Sequence, residues 1–267
     1  MAYRFGFIGT GNMGGGLAKA AAKAMPASQI LLSNRTYAKA AQLADKIGAQ
    51  AVSVQEAAQC ELIFLGVKPQ MMAGLLEEIA PILAERTDTF ALVSMAAGLT
   101  MLSLQKMAGG AYPVIRIMPN TPVAVGSGIV LYDYTENVNP ELLDAFVQGM
   151  GCAGVLDHLS EDLIDAGTSV AGCGPAFAFY FIESLIKGGV ACGLPEEKAA
   201  LYAKHMLLGS ARLALESTKT PEQLRNAVCS PAGSTIEGVH VLQNQGFSDT
   251  TAQAVMASYK RNIELGK

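Results

Sequence analysis

Two short segments of this chain contain residues whose types and spacing suit the binding of an anion. Residues 9–14 read GTGNMG, a G-x-G-x-x-G pattern, and residues 229–235 read CSPAGST. The first pattern lets a backbone turn tightly and come close to a pyrophosphate. The second has no charged side chain, but it carries a Pro, a Gly and three hydroxyl groups ahead of a helical pattern. What each segment can do depends on the elements that flank it.

Strand-like and helical patterns alternate over the first half of the chain. This alternation is typical of βαβ units with a parallel sheet and right-handed crossovers. The predicted strands cover residues 4–8, 30–33, 62–67, 90–94 and 114–117, and runs at 128–133 and 153–157 extend the sheet. The helical patterns cover residues 13–25, 38–47, 70–83, 101–107 and 140–148. We therefore predict an α/β fold with an N-terminal Rossmann-type, doubly wound sheet.

The pattern changes near residue 160, beyond which we find helical stretches alone. They cover residues 160–170, 175–192, 195–217, 221–228, 234–245 and 248–265. We predict two domains: residues 1–159 bind a dinucleotide, and the all-helical residues 160–267 take part in dimerisation and substrate binding. The helical part is apolar and poor in charge, which favours a dimer core.

Composition narrows the class of protein. The 267 residues are 51% apolar and 16% charged, with a formal net charge of -4. Because there is no basic block, we expect no nucleic acid and no membrane as a partner. The five cysteines are scattered, which argues against a disulfide framework and a metal site and fits the cytoplasm. The N-terminus does not resemble a signal peptide, and the uncharged run 166–182, interrupted by GCGP, is too short to span a membrane.

The G-x-G-x-x-G pattern follows a predicted strand and precedes a helix of small residues, which is the context that a dinucleotide-binding turn requires. Gly9 would permit the tight turn, Gly11 the approach of the pyrophosphate, and Gly14 the packing of helix on strand. The alternative is a glycine-rich turn without a ligand. The predicted cofactor contacts in this segment are Gly9, Thr10, Gly11, Asn12, Met13 and Gly14.

The end of the second predicted strand indicates which dinucleotide is bound. Residues 33–36, SNRT, contain no acid for a ribose 2′-hydroxyl. Arg35 is suited to bond a 2′-phosphate and to stack on the adenine. We predict that NADPH is preferred, that NADH is possible, and that Asn34 and Arg35 contact the cofactor. The alternative is an exposed loop with an incidental arginine.

Three further segments follow predicted strands, at the edge where ligands bind in such sheets. They are GVKPQ at 66–70, SMAAG at 94–98 and RIMPNTP at 116–122. Their small residues and free backbone leave room for a nicotinamide ring. The predicted contacts are Val67, Lys68, Pro69, Ala96, Ala97 and Asn120.

These motifs resemble those of the pyrroline-5-carboxylate reductase family over nearly the full chain. The matching segments are 8–14, 33–36, 67–70, 94–98, 116–122, 169–177 and 224–242. The resemblance implies a Rossmann domain followed by a helical dimerisation domain whose helices interlock between subunits. It also implies reduction of (S)-1-pyrroline-5-carboxylate to L-proline with NAD(P)H, the last step of proline biosynthesis. Members of the family form homodimers, some of which assemble into decamers.

The segment 229–235 is expected to hold the substrate carboxylate. STIE at 234–237 has the spacing of a capping box, so we expect a helix to start there with Ser234 as its cap. Its first N–H groups, around Gly233–Thr235, would bind the carboxylate, whereas the alternative is a capped helix that binds nothing. By the resemblance, Thr235 is the catalytic residue, with its hydroxyl at the ring nitrogen. The predicted substrate contacts are Ala232, Gly233, Ser234 and Thr235.

The loop departs from its family at two positions. The family usually has SPGGT followed by Thr, and here Ala232 replaces the first glycine and Ser234 the first threonine. If the backbone at Ala232 has a positive φ, alanine costs on the order of 1 kcal/mol there.

Two rival functions stay open. A β-hydroxyacid dehydrogenase shares the layout, but it places a catalytic Lys four residues after a G-x-G, where this chain has Ala178. A silent NADP-binding sensor would keep the glycine turn and lose the substrate loop.

Overall fold

The computed structural model describes residues 4–266, so positions 1–3 and 267 of the predicted domains lie outside the described residues. The chain divides into two compact units. The first unit contains the residues up to Cys173 together with those from Ser258 onward, and the second unit is Gly174–Ala257. The domain boundary between residues 159 and 160 follows the change from strands to helices and stays a prediction.

The first unit is built around one sheet. Its strands are β1 Phe5–Ile8, β2 Ile30–Ser33, β3 Gln50–Ala51, β4 Leu62–Leu65, β5 Ala91–Ser94, β6 Val114–Pro119, β7 Gly128–Tyr134 and β8 Gly154–His158. Within residues 4–266 their order is β3-β2-β1-β4-β5-β6-β7-β8. The strands from β3 to β6 are parallel, with Phe7 of β1 beside Leu32 of β2 and Phe64 of β4. The order 3-2-1-4-5-6 is that of a dinucleotide-binding fold, as the sequence predicts.

The last two strands depart from the predicted parallel sheet. β7 runs antiparallel to β6, and β8 runs parallel to β7. Only a short 3₁₀ turn, Thr121–Val125, lies between β6 and β7, whereas a parallel crossover needs a dozen or more residues. The length of this connection therefore reverses the direction of the chain.

Helices cover both faces of the sheet. In the first unit they are α1 Asn12–Ala24, α2 Tyr37–Ile47, α3 Val54–Ala57, α4 Pro69–Glu85, α5 Met101–Ala108, α6 Pro140–Met150 and α7 Glu161–Gly167. One apolar cluster contains Phe7, Leu17 and Phe64, and the cluster on the other face contains Ile63 and Leu76. Burial on both faces explains why the strands are continuously apolar. Both α3 and β3 are too short for a periodic signal and were not predicted.

Helices alone form the second unit. After a π-helical turn at Thr168–Gly172 follow α8 Gly174–Ala191, α9 Glu196–Glu216, α10 Pro221–Ala227, α11 Ser234–Asn244 and α12 Phe247–Leu265, whose last part belongs to the first unit. The expected interruption at GCGP is present, because the π-helical turn ends at Gly172 and α8 begins at Gly174. Pro175 is the second residue of α8, where a missing N–H breaks no helical bond. The helical stretch Glu161–Ala191 has the length and composition to cross a membrane, a test that core helices of soluble proteins also pass.

The second unit buries little of its apolar surface within this chain. Of the described residues in Gly174–Ala257, only Ala199 and Ala203 belong to the buried apolar set. Among them, no residue of α8 is buried, although this helix carries three phenylalanines.

Candidate functional site

The first candidate site lies where β1 turns into α1. Gly9 has a φ of +101°, in the left-handed region that favours glycine. A Cβ at Gly9 would lie 2.5 Å from the carbonyl oxygen of Gly66, and a Cβ at Gly14 would overlap the carbonyl oxygen of Gly9. These three glycines therefore let the turn pack backbone against backbone beside the end of β4.

Gly11 has a different environment. A Cβ at this position would meet no atom within 4 Å among the described residues. Gly11 is the N-cap of α1, and within residues 4–266 no side chain caps this helix start. The first N–H groups of α1 are thus without a capping partner, at the positive end of the helix dipole. The arrangement fits a pyrophosphate, which requires backbone donors and a close backbone approach.

The loop after β2 is fixed to this turn. Asn34 donates through Nδ2 to Thr10 Oγ1 at 2.9 Å, and its Oδ1 accepts the N–H of Thr36 at 3.4 Å. The N–H of Gly9 also donates to the carbonyl of Ser33 at 2.8 Å. Arg35, the next residue, is exposed. The glycine turn and the predicted 2′-phosphate loop therefore lie together.

The segments after β4 and β5 reach the same edge of the sheet, because both strands are parallel to β1. Lys68 is the N-cap of α4, and Pro69 is its first residue. Val67 and Ala97 are half-buried, and Ala96 is buried. The segment after β4 therefore lies beside the glycine turn, and the segment after β5 is the next one along the same edge.

Asn120 follows β6, but its side chain is engaged within the chain. Its Nδ2 donates to the carbonyl of Ala171 at 3.0 Å, and its Oδ1 accepts the N–H of Ile129 at 3.0 Å. The residue is 9% exposed. Asn120 thus ties the end of β6 to β7 and to the π-helical turn, which leaves its second amide hydrogen for a ligand.

Comparisons with known proteins place the chain in one family. A model described as pyrroline-5-carboxylate reductase dimerisation matches residues 161–265, and one described as NADP oxidoreductase, coenzyme F420-dependent, matches residues 4–98. The chain is 36% identical to the pyrroline-5-carboxylate reductase of Pisum sativum over 267 residues, covering 98% of this chain and 96% of the relative. With that of Escherichia coli strain K12 it shares 36% identity over 273 residues, covering 100% of both. The chain belongs to the pyrroline-5-carboxylate reductase family.

A solved structure agrees with this membership. The pyrroline carboxylate reductase of Plasmodium falciparum, determined with NADP bound, superimposes with a TM-score of 0.89 at 29% identity, covering 99% of this chain and 98% of that one. The fold of the reductase family therefore extends over both units of this chain.

The substrate loop predicted for this reductase joins α10 to α11. Pro231 and Ala232 form a turn that is closed by the N–H of Gly233, which donates to the carbonyl of Ser230 at 3.0 Å. A Cβ at Gly233 would overlap Ser230 Oγ, so a larger residue here would require the Ser230 side chain to move. Thr235 is exposed in the first turn of α11.

The start of α11 corrects one prediction. The helix begins at Ser234, but its N-cap is Gly233, and no side chain within residues 4–266 caps it. Glu237 is then the fourth helical residue rather than the third, so the predicted capping box is wrong. The preceding turn places Ser234 at the first helical position, one residue beyond the N-cap. Without a side-chain cap, the first N–H groups of α11 stay available to a ligand or to water.

Ala232 has a φ of +57°, and no other non-glycine residue between positions 4 and 266 has a positive φ. It follows Pro231 in the turn, at the position where a type II turn takes glycine. The positive φ on which the predicted strain at Ala232 depends is therefore present. Alanine costs on the order of 1 kcal/mol here, relative to the glycine that the family usually has.

A buried ionic cluster supports the strand end of this reductase and was not predicted. Arg116 is 2% exposed, and its guanidinium lies 3.1 Å from Glu161 Oε1 and 3.2 Å from Asp165 Oδ1. Asp133 accepts the N–H of Glu161 at 2.6 Å and lies 3.1 Å from His158 Nε2. The cluster holds α7 on β6 and β7. Its one local signal is an arginine inside the apolar strand VIRIMP, whereas its partners are distant in sequence.

Proposed function

We propose that this reductase uses NADPH in preference to NADH. Its reaction is the reduction of (S)-1-pyrroline-5-carboxylate to L-proline by hydride transfer from NAD(P)H, the last step of proline biosynthesis. The preference is supported by the exposed Arg35 and by the lack of any acid at positions 33–36. Asn34, held by Thr10, fixes the loop that presents this arginine.

The cofactor contacts that we propose lie along one edge of the sheet. Backbone groups of residues 9–14 take the pyrophosphate, because α1 begins there without a side-chain cap in the described part of the chain. Asn34 and Arg35 take the adenosine end. The nicotinamide end is assigned to the strand ends at 67–69, 96–97 and 120, where the backbone is accessible or held in place.

We assign the substrate carboxylate to the start of α11. The N–H groups of Gly233–Thr235 precede or open the helix, and the helix dipole favours an anion at this end. The turn at Ala232 and the hydrogen bond from Gly233 to Ser230 hold these groups in place. Backbone donors hold the anion without a lysine, whose charge would repel a cationic iminium.

Thr235 is the catalytic residue of this proposal. Reduction requires a hydride at the C=N carbon, which bound NADPH supplies, and a proton on the ring nitrogen. The Thr235 hydroxyl hydrogen-bonds the ring nitrogen, donating to an imine or accepting from an iminium and from the product amine. Because a hydroxyl is a poor proton source, the basic imine takes its proton from water before it binds.

The chain forms oligomers through its dimerisation region. We propose a homodimer, with assembly into a decamer as the resemblance implies, in the cytoplasm. The exposed apolar side chains of α8 support a dimer, because a second copy would remove them from water. The net charge of -4 offers no attraction for nucleic acid.

Arg35→Ala tests the cofactor preference. We expect kcat/KM for NADPH to fall by about tenfold to a hundredfold, because a charge-assisted bond to the 2′-phosphate is lost. The value for NADH should be unchanged and serves as the internal control. A wild-type preference for NADH that Arg35→Ala does not alter would refute the assignment.

Thr235→Ala tests the catalytic residue. We expect kcat to fall by at least about tenfold, the loss of one hydrogen bond that forms with the reacting nitrogen, while NADPH binds as in the wild type. Thr235→Ser is the matched control, because it keeps the hydroxyl and should keep most of the activity. Full turnover in Thr235→Ala would show that this hydroxyl has no part in the reaction.

A further inference from the structure

A cleft of about 620 Å³ lies between α1 and α2, beside the glycine turn. Three lysines line it: Lys19 from α1, and Lys39 and Lys46 from α2. No aspartate or glutamate is among the described residues that line it. In a chain whose net charge is -4, this lysine cleft concentrates positive charge beside the cofactor edge.

Lys39 occupies an unfavourable position for a cation. It lies in the first turn of α2, where the helix dipole is positive and where no acidic residue is present. The N-cap of α2 is Thr36, and within residues 4–266 no side chain caps this helix start. Lys46 follows two helical turns later, on the side of α2 that bears Lys39. None of the three lysines has an ion-pair partner in the described part of the chain, so an anion between them would be favoured.

The lysine cleft is continuous with the predicted cofactor site. Thr10, Gly11 and Asn12 of the glycine turn also line it. Lys39, in the first turn of α2, also lines it, and Arg35 lies four residues before Lys39 in the chain. A phosphate monoester carries about -1.5 to -2 charges at neutral pH, more than one guanidinium neutralises. A second cation near Arg35 would therefore strengthen the binding of a 2′-phosphate.

We propose that the lysine cleft is a specificity site for the 2′-phosphate of NADPH. Lys39 contacts the phosphate from the first turn of α2, and Lys46 and Lys19 strengthen its binding through their charge. The assignment rests on the proposed preference for NADPH and adds determinants beyond Arg35.

The test is the binding of adenosine monophosphates to the free enzyme, measured by calorimetry. Lys39→Gln should weaken the binding of 2′-AMP about fivefold and leave that of 5′-AMP unchanged, and Lys46→Gln and Lys19→Gln should each weaken 2′-AMP about twofold. Lys23→Gln is the matched control, because Lys23 lies on α1 and does not line the cleft. The losses should shrink as salt rises, since exposed charges are screened.

Two results would overturn the proposal. One is a Lys39→Gln enzyme that binds 2′-AMP as Lys23→Gln does. The other is an equal loss for 2′-AMP and 5′-AMP, which would mean that the lysines attract any phosphate. Arg35→Ala separates this outcome from a failure of the NADPH preference. If Arg35→Ala weakens 2′-AMP and Lys39→Gln does not, the preference stands and the lysine cleft has no part in it.

Discussion

The two compact units of this chain differ in how far they bury their apolar side chains. In the first unit, Phe64 and Leu76 are fully buried on the two faces of the sheet. In the second, Phe179 and Tyr180 of α8 are 62% and 69% exposed. The first unit thus completes its own core, whereas the apolar helices of the second lack a cover within this chain. The match of residues 161–265 to a dimerisation model supports another subunit as the missing cover.

The exposed apolar side chains of the second unit represent a considerable free energy of burial. An aromatic side chain offers about 150–250 Å² of surface, and each Å² of apolar surface removed from water contributes about 25 cal/mol. Covering one largely exposed aromatic residue therefore stabilises the assembly by about 2 kcal/mol. Exposed apolar residues also occur along α9, including Leu208 and Leu215. We therefore expect that the second unit depends on assembly for its stability and that the first does not.

The largest effect should come from Phe179→Asp. A carboxylate at the interface would be buried without a partner, at a cost of about 3–5 kcal/mol. We expect the oligomer to dissociate in sedimentation experiments and thermal unfolding of the second unit to begin at a lower temperature.

Leu102→Asp is the matched control. Leu102 is 59% exposed, like Phe179, but it lies on α5 of the first unit. We expect a change in stability within about 0.5 kcal/mol and an unchanged oligomer. If Phe179→Asp behaved in the same way, the apolar face of α8 would be a solvated surface, and the contrast between the units would disappear.

Two glycines in one turn separate the stability of the first unit from its ligand binding. Gly14→Ala places a methyl group against the carbonyl oxygen of Gly9, so we expect a loss of about 1–3 kcal/mol in unfolding free energy. Gly11→Ala places it in open space, so stability should be kept while NADPH binds about tenfold more weakly. Thermal unfolding and a fluorescence titration with NADPH measure both. A Gly14→Ala protein as stable as the wild type would contradict the packing described for the turn.

Backbone strain can be compared between the units at two positions with a similar φ. Ala232 in the second unit has a φ of +57°, and Gly109 in the first has a φ of +76°. We expect Ala232→Gly to stabilise the protein by about 0.5–1 kcal/mol, and Gly109→Ala to destabilise it by a similar amount. Denaturant unfolding checks both. A destabilising Ala232→Gly would mean that the methyl group makes contacts which outweigh the strain.

Local patterns predicted much of the fold and the turn at Gly9, and distant contacts account for what was missed. Strand boundaries such as Ile30–Ser33 and the turn at Gly9 follow from short-range signals, and the structure has both. The direction of β7 depended on the length of one connection, and the cap of α11 on the register of one turn. The partners of Arg116 come from α7, which no periodicity could pair with β6. The cover that we propose for α8 comes from a second chain, which a sequence indicates only by an excess of apolar residues.

The smallest effect concerns an ion pair that belongs to the first unit alone. Hydrogen bonds from Arg86 at 2.6 and 2.8 Å lower the pKa of the Asp88 carboxyl. The stabilisation is therefore present above the ordinary carboxyl pKa of about 4 and is lost as the pH falls through the lowered value. Because Asp88 is 54% exposed, the pair contributes only about 0.5 kcal/mol, so Asp88→Asn should lower Tm by about 1–2 °C at pH 7.

At a pH below the lowered pKa, Asp88→Asn should match the wild type, because the carboxyl is then protonated in both the folded and the unfolded chain. The same loss at pH 7 should appear in a Phe179→Asp background, since distant and independent sites add. If dissociation of the subunits changed the effect of Asp88→Asn, the stability of the first unit would depend on assembly as well. The two units would then differ in how much apolar surface they expose, but not in what holds them folded.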